Sequence, residues 1–109
     1  MAHSEYLEET LNRLTDNWPI LETKNMFGGI VYMINGNICL GIWQENLIVR
    51  IGKEKEVELK KEDWCIDFDI TGKSMKGWAM ITPDGWENRE ILERATTIAQ
   101  KFTETLPVK

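Results

Sequence analysis

Asn35-Gly36 separates Met33-Ile34 from Asn37-Ile38, and this dipeptide between two apolar runs specifies a hairpin near the middle of the chain. A type I′ turn needs positive φ at both central residues, which asparagine and glycine tolerate. A two-residue turn also sets the register: Ile34 opposite Asn37, Met33 opposite Ile38, Tyr32 opposite Cys39, Val31 opposite Leu40 and Ile30 opposite Gly41. Side chains alternate along a strand, so one face is expected to hold Val31, Met33, Ile38, Leu40 and Ile42. A further strand, Leu47 to Ile51, adds Leu47, Val49 and Ile51 to that face if Glu45-Asn46 forms a two-residue turn pairing Ile42 with Val49 and Leu40 with Ile51. The opposite face then collects Ile30, Tyr32, Ile34, Cys39, Gly41, Trp43, Ile48 and Arg50.

The flanks supply helices to cover such a sheet. Ser4 caps a first helix, with Glu5 and Glu8 at its positive end and Leu7, Leu11, Leu14 and Trp18 on one stripe, before Pro19 stops it. Glu54 to Lys60 reads as a short helix. Cys65 to Ile70 alternates Ile66, Phe68 and Ile70 against Cys65, Asp67 and Asp69, which predicts a strand whose second row faces water. A fifth strand runs from Trp78 to Thr82 and ends at Pro83-Asp84-Gly85. From Asn88, a cap, the positions Ile91, Leu92, Ala95, Ile98, Ala99, Phe102 and Leu106 trace a wide apolar stripe closed by Pro107. The order α-β-β-β-α-β-β-α predicts an α+β, two-layer domain, with a largely antiparallel five-stranded sheet and helices mostly on one face. At 109 residues there is room for one core, so residues 1–109 are read as a single domain.

Charge and composition narrow the functional classes. The net charge is −5, and Lys53, Lys55, Lys60 and Lys61 are interleaved with Glu54, Glu56, Glu58, Glu62 and Asp63, so no basic stripe forms. Binding of DNA or RNA through phosphates needs clustered cations, and direct nucleic-acid binding is therefore disfavoured. The start of the chain lacks a cationic and apolar leader, and no run approaches a membrane span; a cytoplasmic protein without membrane association is expected. Cys39 and Cys65 are read as free thiols. Gly72-Lys73-Ser74 partly matches a phosphate-binding loop, but the motif's first glycine would fall at Asp67 and a strand follows instead of a helix. The single histidine, His3, lies at the terminus, no histidine neighbours Cys39 in the hairpin, and the cysteines have no zinc spacing. Neither a catalytic residue nor a metal or cofactor is expected, and alternate acids such as Asp67 and Asp69 read as a solvated strand face.

Several strings occur in one order: Met26-Phe27-Gly28-Gly29, Gly36 to Ile42, Leu47 to Gly52, Asp67 to Trp78 with Gly72, Lys73, Met75, Gly77 and Trp78, and the ending Thr105 to Lys109. Together they resemble the N-terminal domain of the TfoX/Sxy family over nearly the whole chain. The resemblance implies a two-layer α/β domain which, in full-length members, joins a C-terminal helical domain in regulators of natural competence that act with a transcription activator. It supplies no catalytic residues. The chain is read as a stand-alone member. The Met26-Phe27-Gly28-Gly29 string also has two local readings, a bulged or tightly turned strand entry that other residues would not fit, or backbone exposed to a ligand.

The expected binding face is the mixed one, comprising Tyr32, Cys39, Gly41, Trp43, Ile48 and Arg50. Arg50 opposite Gly41 would be flanked by Tyr32 and Trp43 in a cation–π arrangement, or would pair with Asp67 or Asp69. An apolar, aromatic patch around one cation suits a protein partner or a homodimer. Alternatives are a sensor holding a small anion at Arg50 near Gly41, an enzyme of unknown type, and a nucleic-acid cofactor role by family analogy. Trp78 and the loop carrying Lys73 and Lys76 form a second candidate edge.

Overall fold

The computed structural model describes residues 4–18, 21–26, 28–68 and 75–108. The elements run α1 (Glu5–Leu14), β1 (Leu21–Met26), β2 (Gly29–Ile34), β3 (Asn37–Trp43), β4 (Asn46–Arg50), α2 (Lys53–Leu59), β5 (Cys65–Asp67), β6 (Trp78–Ile81), α3 (Pro83–Trp86) and α4 (Arg89–Glu104). The strands form one antiparallel sheet in the order β1-β2-β3-β4-β6-β5. The α+β, two-layer expectation holds, with six strands in place of five.

Both long helices begin at the caps read from the sequence. Ser4 Oγ accepts from the Leu7 N–H at 3.2 Å, and the Asn88 side chain accepts from the N–H groups of Glu90 and Ile91 at 3.0 and 3.3 Å. These bonds satisfy donors that the first turn of a helix leaves unpaired. The helices bury Leu7 and Leu11 of α1, Leu59 of α2, Trp86 of α3, and Leu92, Ala95 and Ala99 of α4 in one core with Ile34, Leu40, Ile42, Leu47, Val49 and Ile81 of the sheet. Two elements were not expected. The sequence of β1, Leu-Glu-Thr-Lys-Asn-Met, lacks apolar alternation because this strand is an edge with most of its residues exposed, where polar side chains are the norm. α3 is a single turn after Thr82, and its Trp86 indole N–H donates to the Glu45 carbonyl at 2.8 Å, tying the turn to the β3–β4 connection.

The central hairpin forms at Asn35 (φ 53°) and Gly36 (φ 82°), with Ile34 opposite Asn37 and Met33 opposite Ile38 as expected. Beyond that point the register changes. A bulge between Tyr32 and Met33 leaves Cys39 as an extra residue on β3, so Tyr32 pairs with Leu40, Val31 with Gly41 and Ile30 with Ile42. One inserted residue reverses the alternation that follows it. Cys39 and Leu40, consecutive in sequence, therefore both enter the helix-side core, and Tyr32 joins them. The proposed facing of Tyr32 and Cys39 toward the reverse side is corrected accordingly. Tyr32 is fully buried, and its hydroxyl donates to Asn12 Oδ1 of α1 at 2.8 Å, the partner that a buried phenol requires. Val31 passes to the reverse side with Gly41, where it too is buried.

β4 is displaced by two residues from the expected pairing: Ile42 opposes Leu47 and Leu40 opposes Val49, around a turn at Gln44-Glu45 with Gln44 at φ 58°. A two-residue shift preserves the faces, so Leu47 and Val49 remain on the helix side. Of the wet row expected on β5, Asp67 is exposed and Cys65 is buried. Cys65 opposes Ile81, a core residue, and shares its side; Ile66 opposes Met80 and is exposed as well; Asp67 forms an ion pair with Lys60 at 2.5 Å. Asp69 and Ile70, together with the turn at Thr71-Gly72-Lys73, lie outside the described residues.

Burial dominates the chemistry of Cys39. Its thiol is pushed up to about 12 by removal from water, an effect only partly offset by the Thr103 hydroxyl against it. The unfolded thiol ionises near 9, so the stability contributed by the protonated form is complete below that pH and is lost as pH rises from about 9 to 12. Chemical denaturation followed across this window should show Cys39→Ser losing stability less steeply than the wild type, by about 1.4 kcal/mol per pH unit. Equal slopes would show that the thiol is not held protonated by the fold.

Candidate functional site

On the side of the sheet away from the helices a second, smaller core is built from Ile48 of β4, Met80 of β6 and Phe68, with Trp43 and Trp78 packed against it. No residue of a described helix belongs to this cluster. β6 lies between β4 and β5, which sets Trp78 directly across from Arg50 and Met80 across from Ile48. The Arg50 guanidinium stacks on the Trp78 ring, with Cζ 5.1 Å from the ring centroid, and the Phe68 ring lies 5.4 Å from Trp78 on an inclined plane. Among the described residues no carboxylate forms an ion pair with Arg50. Its charge is met by the π-face of an aromatic ring, an interaction that strengthens as water is excluded.

The structure thus divides the expected face. Gly41, Trp43, Ile48 and Arg50 are on the reverse side, while Tyr32 and Cys39 belong to the other layer. The cation–π contact exists, but with Trp78 in place of Tyr32 and Trp43. Gly41 opposes Ile48 and not Arg50, and the Ile48 Cδ1 and Val31 Cγ1 atoms each lie 3.4 Å from where a Cβ would be. The space envisaged there for an anion is filled. Asp67, an expected partner of Arg50, pairs with Lys60 on the helix side. Ile48 is only 1% exposed, so it supports the surface without presenting it. The exposed fabric consists of the half-buried Trp43, Trp78 and Arg50 with the more open Ile66, 40% exposed. Sequence spacing set Trp78 at the start of a strand and on a loop edge but not beside Arg50, because the insertion of β6 beside β4 is a long-range pairing with no local signal.

The segment before Trp78 is clamped to α2. Gly77 (φ 87°) and Gly52 (φ 85°) approach closely, and the Gly77 carbonyl accepts from the N–H groups of Ile51 and Gly52 at 2.8 and 3.0 Å. The Gly77 N–H in turn donates to Glu56 Oε1 at 2.5 Å, and Lys60 joins Glu56 to Asp67. Burial alone would raise the Glu56 carboxyl, but the Gly77 amide and Lys60 together hold it below its ordinary value. The clamp fixes the start of β6 and hence the Trp78 ring under Arg50. The other glycine string is structural as well. Gly28 (φ 77°) adopts the left-handed region in the connection between β1 and β2, and a Cβ on Gly29 would fall 2.0 Å from the Ile42 carbonyl oxygen. Met26 ends β1 opposite Gly29, whereas Phe27, Gly72 and Lys73 lie outside the described residues.

Cys65, like Cys39, is buried, and its thiol is raised to about 11, chiefly by burial. Both are poor nucleophiles near neutral pH, since the thiolate is the reactive form. Among the described residues no group of three or more His, Cys, Asp or Glu side chains is placed to hold a metal ion, and no helix is long and apolar enough to cross a membrane.

No curated protein and no solved structure matches the chain in searches of either kind. A family model does: that of the TfoX N-terminal domain, over residues 13–102. That span takes in the glycine turn at the β1–β2 connection, the central hairpin, the Gly52–Gly77 clamp, the Arg50–Trp78 stack and α4 as far as Phe102, so the chain belongs to the TfoX N-terminal domain family.

Proposed function

We propose that this domain is a non-catalytic, cytoplasmic interaction module of the competence-regulator type, working without a cofactor. It docks a protein through Trp43, Arg50 and Trp78, and a second copy of the chain is the first partner. One observation carries the reading: two half-buried tryptophans and a stacked arginine cap a small apolar core on the layer that no described helix enters. Tryptophan and arginine are the residue types that dominate binding energy at protein interfaces, and lysine and glutamate are depleted there. Family membership supports a regulatory role, and the net charge of −5 weighs against direct contact with nucleic acid.

Trp43→Ala combined with Arg50→Glu should weaken association by at least about tenfold, because each removes an anchor of the hot-spot kind. Sedimentation velocity over a concentration series reads the effect, with far-ultraviolet circular dichroism to show that the fold persists. An unchanged association constant in the double variant would reject this surface.

A further inference from the structure

The helix layer holds a second feature, independent of the proposed docking face. Between the start of α2 and the C-terminal half of α4 lies a cleft of about 790 Å³, a volume within the range of small-ligand sites. Its apolar wall is made by Ile51, Ile98 and the Phe102 ring. The cleft depends on glycine at position 52, since a Cβ there would meet the Phe102 ring at 2.7 Å. α4 therefore carries two adjoining stripes: Leu92, Ala95 and Ala99 enter the core beneath it, and Ile98 and Phe102, each half-buried, turn toward the cleft.

The lining is also cationic, in a chain whose net charge is negative. Lys53, Lys55 and Lys101 contribute to it, against one carboxylate, Glu54. Lys55 is engaged with Glu58 at 3.4 Å, whereas Lys53 and Lys101 enter no ion pair among the described residues. Elsewhere in the helix layer Lys60, Arg89 and Arg94 are paired with carboxylates, and Arg13 of α1 enters no ion pair among the described residues. An apolar wall lined by two lysines that enter no ion pair among the described residues matches a ligand with a hydrocarbon body and a single anionic head.

We infer that this cleft is a binding site for a small amphipathic carboxylate, free in solution, with its chain against Ile98 and Phe102 and its head held by Lys53 and Lys101. Decanoate, kept below its micellar concentration, is a suitable probe for the ¹⁵N-labelled full chain observed by NMR. Saturable shifts should centre on Gly52, Ile98, Phe102 and Thr105. Lys53→Glu with Lys101→Glu, both at exposed positions, should weaken decanoate by about tenfold, leave the uncharged decanol within about twofold, and favour decyltrimethylammonium over decanoate. Four results would overturn the assignment: no saturable shift, shifts centred on Trp43 and Trp78, equal affinity of the wild type for decanoate and decanol, or retention by phosphatidylglycerol vesicles with no binding of the monomeric carboxylate. The double variant retains Trp43 and Arg50, so failure here and failure of the docking face are read separately.

Discussion

Gly29→Ala should lower folding stability by about 3 kcal/mol or more, at the upper end of what a single added methyl group does in a packed interior. The added Cβ would lie 2.0 Å from the Ile42 carbonyl oxygen and 3.5 Å from the Trp43 Cα. Neither is the end of a flexible side chain, so β2 and β3 would have to separate where Ile30 pairs with Ile42. Gly28→Ala provides a contrast: its Cβ would meet nothing within 4 Å, and only the positive φ of 77° resists it. Its expected cost is about 1 kcal/mol, set by the left-handed backbone alone. Urea denaturation of the two variants would separate the effects, and equal losses would show that β3 does not lie as close to Gly29 as described.

Tyr32→Ala should cost about 3–5 kcal/mol, the range for deleting a large buried aromatic side chain. A domain of this size holds roughly 5–15 kcal/mol in total, so this variant should lose a large fraction of its stability. Tyr32→Phe keeps the ring and removes only the bond to Asn12; about 1 kcal/mol is expected. The pair of variants tests the bulge directly. Had the hairpin kept its simple register, Tyr32 would stand on the reverse side, where truncation would act on association and leave stability nearly intact. A thermally stable Tyr32→Ala protein would therefore contradict the inward placement of this ring.

Much of the fold was legible because local chemistry dictated it. The Asn35-Gly36 turn and the Ser4 and Asn88 caps each depend on residues within one or two turns of chain, and each is found where the sequence places it; of the α4 stripe, Leu92, Ala95 and Ala99 enter the core, whereas Leu106 lies beyond the helix. The bulge at Cys39 had no such signal. Cysteine packs well on either side of a sheet, so its side chain does not announce that it will share the core with Leu40. β1 was missed for a related reason: an edge strand is held by backbone bonds to one neighbour, which leave no mark in its side-chain pattern. At the candidate site, Trp43, Ile48 and Arg50 were placed on the correct layer because a two-residue slip of β4 preserves its faces. The partner of Arg50 was not, since Trp78 reaches it only through pairing between strands separated by α2 and β5.

The alkaline response of Cys39 and the cleft beside α4 concern the helix layer, whereas the proposed function rests on the other one. Isotope-filtered NOE spectroscopy on an equimolar mixture of ¹³C,¹⁵N-labelled and unlabelled chain at millimolar concentration examines it most directly. Intermolecular cross-peaks from the indole protons of Trp43 and Trp78, lost in the Trp43→Ala, Arg50→Glu protein, are the expected result. Intermolecular contacts confined to α1 and α4, or a chain that gives none at all at that concentration, would contradict the assignment of this face to association.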